Sequence, residues 1–166
     1  LHNAMNALDY GCGTGLVTLR LAPLIHSITG VDSSEEMLSV LERKAKSLGL
    51  KQVTTRHMDF TARSTATGSY DLIVSSMTLH HVEDTQRLFA EFFRLMNPGG
   101  WLAIADLDSE DGSFHPDTTG VMHYGFDRAH IQRQLETCGF SNIAASTAAI
   151  LSRARDYPVF LITARK

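Results

Sequence analysis

Cysteine is scarce: Cys12 and Cys138 are the only two in a chain of 166 residues. Two isolated cysteines exclude a disulfide framework and a cysteine-built metal centre, and they fit a reducing, cytoplasmic setting. Long apolar runs are missing too; none approaches the roughly 20 residues of a membrane-spanning helix. Neither sign of charge dominates, since 15 Lys and Arg face 18 Asp and Glu for a net charge of −3. That balance argues against a nucleic-acid partner and against a charged tail. There is no internal repeat and no low-complexity linker. What remains is ordinary globular material, 43% hydrophobic, enough for one core. The expectation is a single domain over 1–166. The chain begins at Leu1 and reaches its first strand almost at once.

Apolar runs and turn residues order the chain into alternating strands and helices. Strands are expected at 5–11, 27–32, 53–60, 70–77 and 101–108, and two more in "SNIAASTAAIL" and "VFLITAR". A helix is expected over 15–22. In a second helix after residue 32, Ser33 and Glu36 suit a capping box, and Met37, Leu41, Ala45 and Leu48 share a helical spacing. Residues 61–69 are polar and turn-like. A third helix should run from Asp84 to Met96, with Leu88, Phe89, Phe92, Leu95 and Met96 inward and "NPGG" stopping it. After a long loop, 109–126, Asp127 can cap a fourth that carries Ile131, Leu135 and Cys138. Repeated strand–helix units imply a mostly parallel sheet covered on both faces. The last two strands, with no helix between them, add an antiparallel pair.

The stretch "LDYGCGTGL" places Gly11, Gly13 and Gly15 within five positions at the end of the first strand. In such a sheet, ligands bind beyond the carboxyl ends of the strands. Bare backbone there admits a ligand closely, and a following helix points free N–H groups at the same place. Asp32 closes the second strand, where a carboxylate can accept from ribose hydroxyls. It can also serve merely as a helix-start carboxylate. A nicotinamide fingerprint would read G-x-G-x-x-G; here Leu16 stands at the last glycine.

Five ordered segments, "ALDYGCGTGLVTLRLA", "ITGVDSSEEML", "HMDF", "YDLIVSSMTLHHVED" and "LMNPGGWLAIADLD", resemble class I S-adenosylmethionine-dependent methyltransferases. The likeness is to the small-molecule branch, similar to the ubiquinone/menaquinone-biosynthesis type. It implies a three-layer Rossmann-like α/β fold with a mostly parallel seven-stranded sheet and one antiparallel strand near the C-terminus. It implies S-adenosyl-L-methionine as cofactor and a small-molecule methyl acceptor, and a chain lacking N-terminal segments that cover the acceptor in family members. Carried over by position, Gly11, Gly13 and Gly15 border the methionine portion, with Asp9 supporting the loop and Cys12 at a position where the family accepts cysteine. Asp32 holds the ribose, Ser33 and Met37 flank the adenine, and Asp59 meets its amino group with Phe60 beside it. Ser75 presents a backbone oxygen to the ammonium, and His80 lies by the sulfonium.

Methyl transfer to a hydroxyl acceptor needs a base. His80, His81, Asp106, Glu110, Asp111, His115, His123 and Tyr124 are expected on loops at the carboxyl edge, and His115 and His123, on the 109–126 loop, are the preferred catalytic candidates. No histidine pair has the i, i+4 spacing of a helical zinc site, so no metal is expected. Other readings stay open. One is a cofactor-binding module that acts through a partner; another is a nicotinamide-dependent oxidoreductase. Base-nitrogen methylases of nucleic acid tend to carry an Asn/Asp-Pro-Pro-Tyr/Phe stretch where this chain reads "SSMTLHH".

Overall fold

A computed structural model describes residues 1–58, 67–153 and 155–166. Its central strands grow from apolar runs, as burial on both faces of a parallel sheet requires, whereas the strands at the two edges are largely exposed. They are β1 (Asn6–Tyr10), β2 (Ser27–Asp32), β3 (Val53–His57), β4 (Tyr70–Ser76), β5 (Met96–Leu107), β6 (Ser141–Ser152) and β7 (Asp156–Arg165). They form one seven-stranded sheet in the order β3-β2-β1-β4-β5-β7-β6. β1 to β5 pair in parallel, and β7 runs antiparallel to both β5 and β6. This is the expected mixed α/β sheet. Asp59, Phe60 and most of the polar 61–69 stretch lie outside the described residues.

The helices are α1 (Thr18–Leu21), α2 (Glu35–Ser47), α3 (Thr85–Leu95) and α4 (Arg128–Thr137). Three expectations need correction. The helix expected over 15–22 is a single α turn, α1, continued by a 3₁₀ turn at Ala22–Leu24, because Pro23 cannot donate to a longer ladder. The cap of α2 is Ser34 rather than Ser33: its side chain accepts from the Met37 N–H at 3.2 Å. The inner stripe of α2 is Leu38, Leu41 and Ala45, leaving Met37 and Leu48 exposed. Asp84 and Asp127 do cap α3 and α4, accepting from the N–H groups of Arg87 and His130. The "NPGG" stretch does end α3, but it belongs to β5. There β5's partners on β4 jump from Tyr70↔Met96 to Leu72↔Trp101.

Alternation along β4 shows the two faces. Ile73 joins the cluster in which Phe89, Phe92 and Leu95 of α3 and Ile131 and Leu135 of α4 pack on Leu102, Ile104, Phe160 and Ile162. Leu72 and Val74 turn to the opposite face with Ala22, Ile25 and Ile28. Each fully buried side chain of this size contributes about 1.5–3 kcal/mol. Among the described residues no helix is long and apolar enough to cross a membrane.

The order of strands fixes where a ligand can lie. From β1 the chain builds outward to β3, then returns to lay β4 on β1's other side. The crevice at the carboxyl ends of β1 and β4 is the topological switch point.

Candidate functional site

The glycine loop crosses from β1 to α1 at that switch point. It is held to β2 by the Gly11 and Cys12 N–H groups, which donate to the Val31 carbonyl at 2.8 and 3.0 Å. Lys44 of α2 donates to the Thr14 carbonyl at 3.0 Å. The three glycines have different reasons to lack a side chain. A Cβ on Gly11 would lie 2.2 Å from the Thr78 side chain, and one on Gly15 2.3 Å from Leu41. At both positions the missing side chain leaves room for the protein's own neighbouring side chains. Gly13 differs: its φ is +51, and a Cβ there would meet only Met37 Sδ, at 3.7 Å. Its outward side is the open one.

Asp32 ends β2 beneath this loop, only 8% exposed. Its Oδ2 accepts from the Gly13 N–H at 2.8 Å and its Oδ1 from the Ser34 N–H at 3.0 Å. It therefore serves the helix start and clasps the loop at once. A carboxylate oxygen accepting one such bond keeps a second lone-pair direction, so the clasp leaves capacity for a diol. Ser33 follows it, and its carbonyl lies 3.1 Å from His57 Nε2. Met37, 46% exposed, presents a thioether next to Gly13.

Asp9 lies one strand inward, 1% exposed, and accepts from the Thr18 hydroxyl at 2.5 Å. Burial raises its pKa from 3.8 to about 6, helped by the like charge of Asp32 and opposed by the Thr18 bonds. Cys12 is buried and its thiol is pushed upward, chiefly by that burial, so it behaves as a packed side chain rather than a nucleophile.

The other wall comes from β4 and β5. Ser75 lies within β4, buried, its hydroxyl donating to the Tyr10 carbonyl at 2.9 Å. The next turn begins at Met77, whose φ of 55 is rare outside glycine. Such a conformation at a strand's tip is the kind of strain held at functional sites. Thr78 then donates to the Gly11 carbonyl at 3.2 Å, joining the two lips of the crevice.

A 3₁₀ turn, Leu79–His81, carries two histidines. His80 is 2% exposed and its Nδ1 lies 2.8 Å from Asp106 Oδ1. Asp106 lies inside β5, within the strand expected over 101–108 and not on a loop with the other candidate bases, and it is fully buried. It also accepts from the Leu107 N–H at 2.8 Å and from the His80 N–H at 3.3 Å. Ring centroids of His81 and His115 lie 4.2 and 4.9 Å from that of His80. His115 Nε2 is buried with no hydrogen-bond partner. Burial lowers its pKa below 6.5, reinforced by His80, His81 and Arg153 and opposed by Glu110.

The two preferred histidines therefore have different settings. His115 joins His80 and His81. His123 lines a separate recess with Glu83, Phe126 and His130, and its Nε2 is 2.9 Å from the Val82 carbonyl. Among the described residues no group of three metal-ligating side chains is arranged to hold an ion. A cavity of about 430 Å³ opens at the amino ends of the strands, lined by Met5, Leu72 and Trp101. It lies at the wrong end of the sheet for the residues above. Sequence reasoning missed the Thr78 bridge and the Asp106–His80 pairing. An aspartate inside the apolar run "WLAIADL" is the signal that could have found the second.

Comparison with known proteins agrees with this architecture. A family model described as a methyltransferase domain matches residues 7–100. An uncharacterized methyltransferase of Schizosaccharomyces pombe is 29% identical over 167 residues, covering 92% of this chain and 57% of its own length. An uncharacterized methyltransferase of Mycobacterium bovis is 35% identical over 97 residues, 58% of this chain and 48% of its own. The chain thus spans about half the length of the curated relatives it matches. Among solved structures, an S-adenosylmethionine-dependent methyltransferase of Methanosarcina mazei superposes with a TM-score of 0.82 at 24% identity, covering 100% of this chain and 94% of that one; at that identity the likeness is one of fold. The family match runs from β1 into β5 and takes in more than half of the residues, and on that ground the chain belongs to the methyltransferase-domain family, of the class I, S-adenosylmethionine-dependent type.

Proposed function

We propose that this domain binds S-adenosylmethionine across the tips of β1 and β2 and supports methyl transfer to a small-molecule acceptor placed over β4 and β5. The observation that carries the reading is the Asp32 clasp: one carboxylate ties Gly13 to the start of α2 at the switch point, beside the one loop glycine with open space outside it. The residues suit the cofactor. Asp32 would accept from the ribose hydroxyls, with Ser33 and Met37 flanking the adenine. The backbone at Gly11, Gly13 and Gly15 would border the methionine portion, Asp9 and Cys12 lying behind it. Ser75 would present a backbone oxygen to the ammonium, and His80 would lie by the sulfonium. When bound, the cofactor supplies an electrophilic methyl group on a cationic sulfur.

The chain's own part is positioning and proton handling. The Thr78–Gly11 bond holds the two lips together, so cofactor and acceptor meet in a fixed relation; such ordering can be worth roughly 7–11 kcal/mol in favourable cases. His115, its Nε2 unpaired and its pKa lowered, is available at neutral pH to accept a proton from the acceptor. We favour it over His123, whose Nε2 is already committed to the Val82 carbonyl. The net charge of −3 suits a small acceptor rather than nucleic acid.

Incubation with S-adenosylmethionine carrying a labelled methyl group and a fractionated metabolite extract tests the proposal. It predicts label in a low-molecular-weight product, lost with His115→Ala. Label found only in protein or nucleic acid would overturn the small-molecule reading.

A further inference from the structure

Glu110 lies at the start of the 109–126 loop, fixed by backbone and side chain alike. Its N–H donates to the Tyr124 carbonyl at 2.9 Å, tying the start of the loop to its close. Its Oε2 accepts from the N–H groups of Gly112 at 2.8 Å and Phe114 at 3.1 Å. The side chain thus closes a turn over its own backbone, and the residue that follows the turn is His115. Neighbours brace the same turn. Tyr157 Oη lies 2.8 Å from Ser113 Oγ, and Arg153 of the β6–β7 turn donates to the Phe114 carbonyl. After these bonds two polar atoms are left over: Glu110 Oε1 and His115 Nε2 are both buried, and neither has a hydrogen-bond partner. A buried carboxylate oxygen without a donor is costly unless a cation meets it. The His115 ring is also faced by His80 and His81 of the 3₁₀ turn and by Arg153, and each of these disfavours a proton on it. Among the groups that act on the ring, Glu110 alone works in the opposite sense.

We propose that Glu110 is a positioning residue for His115: its Oε2 closes the turn that delivers the ring to the site, and the charge left on Oε1 steadies the imidazolium formed when His115 takes the acceptor's proton. The inference rests on the methyltransferase reading for its chemistry; the turn and the unpartnered oxygen do not. In the step concerned, the bond from the acceptor atom to hydrogen breaks and the proton ends on His115 Nε2. The electron pair stays with the acceptor atom and bonds the methyl carbon, as the carbon–sulfur bond gives its pair to sulfur. A cation then appears on a ring that Arg153 already faces. An opposite charge nearby favours the charged form of a titrating group. Removing the Glu110 charge must therefore lower the proton affinity of His115.

The test uses the whole 166-residue chain and Glu110→Gln, whose amide oxygen can still accept from Gly112 and Phe114 although the charge is gone. The pH midpoint of the His115 ring, read from its long-range ¹H–¹⁵N resonances, should fall by about half a pH unit or more, roughly a threefold loss of proton affinity. A residue that only shapes the turn predicts no such fall, since glutamine keeps the turn. A smaller fall, an unmoved midpoint or a raised one would overturn the proposal. Binding of S-adenosylhomocysteine, measured by calorimetry, should stay within about threefold of wild type; a larger loss would put Glu110 in cofactor binding and overturn it as well. Wild type supplies a check that needs no variant to fold. The ¹³C resonance of the Glu110 carboxyl should step at the midpoint of the His115 ring, and a resonance indifferent to that titration would overturn the pairing. Failure of wild type to bind S-adenosylhomocysteine would instead strike the methyltransferase reading.

Discussion

Asp9→Asn should make the protein more stable at alkaline pH while weakening it as a methyltransferase. Asp9 is 1% exposed, and burial is the main reason its pKa rises from 3.8 to about 6. A raised carboxyl pKa means the folded state holds its proton more tightly than the unfolded chain. The stability this gives is fully present below about pH 4 and is lost as pH rises through about 6. At pH 8 the folded protein therefore carries an ionised, desolvated carboxylate at a cost of ~3 kcal/mol relative to an ordinary one. Asparagine has nearly the same shape, and its carbonyl oxygen can still accept from Thr18, so the substitution removes the charge and keeps the bond. Urea unfolding should find Asp9→Asn more stable than wild type by up to ~3 kcal/mol at pH 8, with the difference shrinking toward zero at pH 4. A difference that is the same at both pH values, or a less stable variant at pH 8, would refute the reasoning. A desolvated, charged group retained beside a binding loop is the usual form of exchange between stability and function.

Two more predictions concern β1 and the loop that follows it. Ionised Asp9 favours a nearby cation, and S-adenosylmethionine carries one more positive charge than S-adenosylhomocysteine; calorimetry should therefore show the preference for the former shrinking as pH falls from 7.5 to 5, and a constant ratio would contradict it. Gly11→Ala should cost more than about 2 kcal/mol of stability, since its Cβ would collide with Thr78, whereas Gly13→Ala should cost only about 1–2 kcal/mol for its backbone conformation yet lose most cofactor affinity. Equal stability losses, or full affinity in Gly13→Ala, would remove the distinction drawn between the two glycines.

Much of the fold could be read from local pattern. The β-branched runs of β2 and β4 and the caps Asp84 and Asp127 are decided by neighbours in sequence, and β2 was legible to the residue. Where tertiary contacts decide, the reading erred. One error is local: Asp32 takes the Ser34 N–H two residues on and fixes the turn, so Ser34 rather than Ser33 caps α2. Met37 fits the helical stripe by spacing, yet Leu38 is the residue turned into the core. The glycines at 11 and 15 answer to Thr78 and Leu41, 67 and 26 positions away, which no local rule registers. The candidate site divides in the same way: its cofactor side follows one motif, whereas the histidine stack is assembled from the 3₁₀ turn after β4 and the 109–126 loop, with Asp106 of β5 behind it.

Calorimetric titration of the wild-type chain and of Asp32→Ala, each with S-adenosylhomocysteine and with NADH, bears most directly on the adenosyl crevice at β1 and β2. The account predicts one site per chain for S-adenosylhomocysteine, affinity reduced at least about 30-fold by Asp32→Ala, a loss of ~2 kcal/mol, and no binding of NADH. Tight binding of NADH, or S-adenosylhomocysteine affinity indifferent to Asp32, would contradict it.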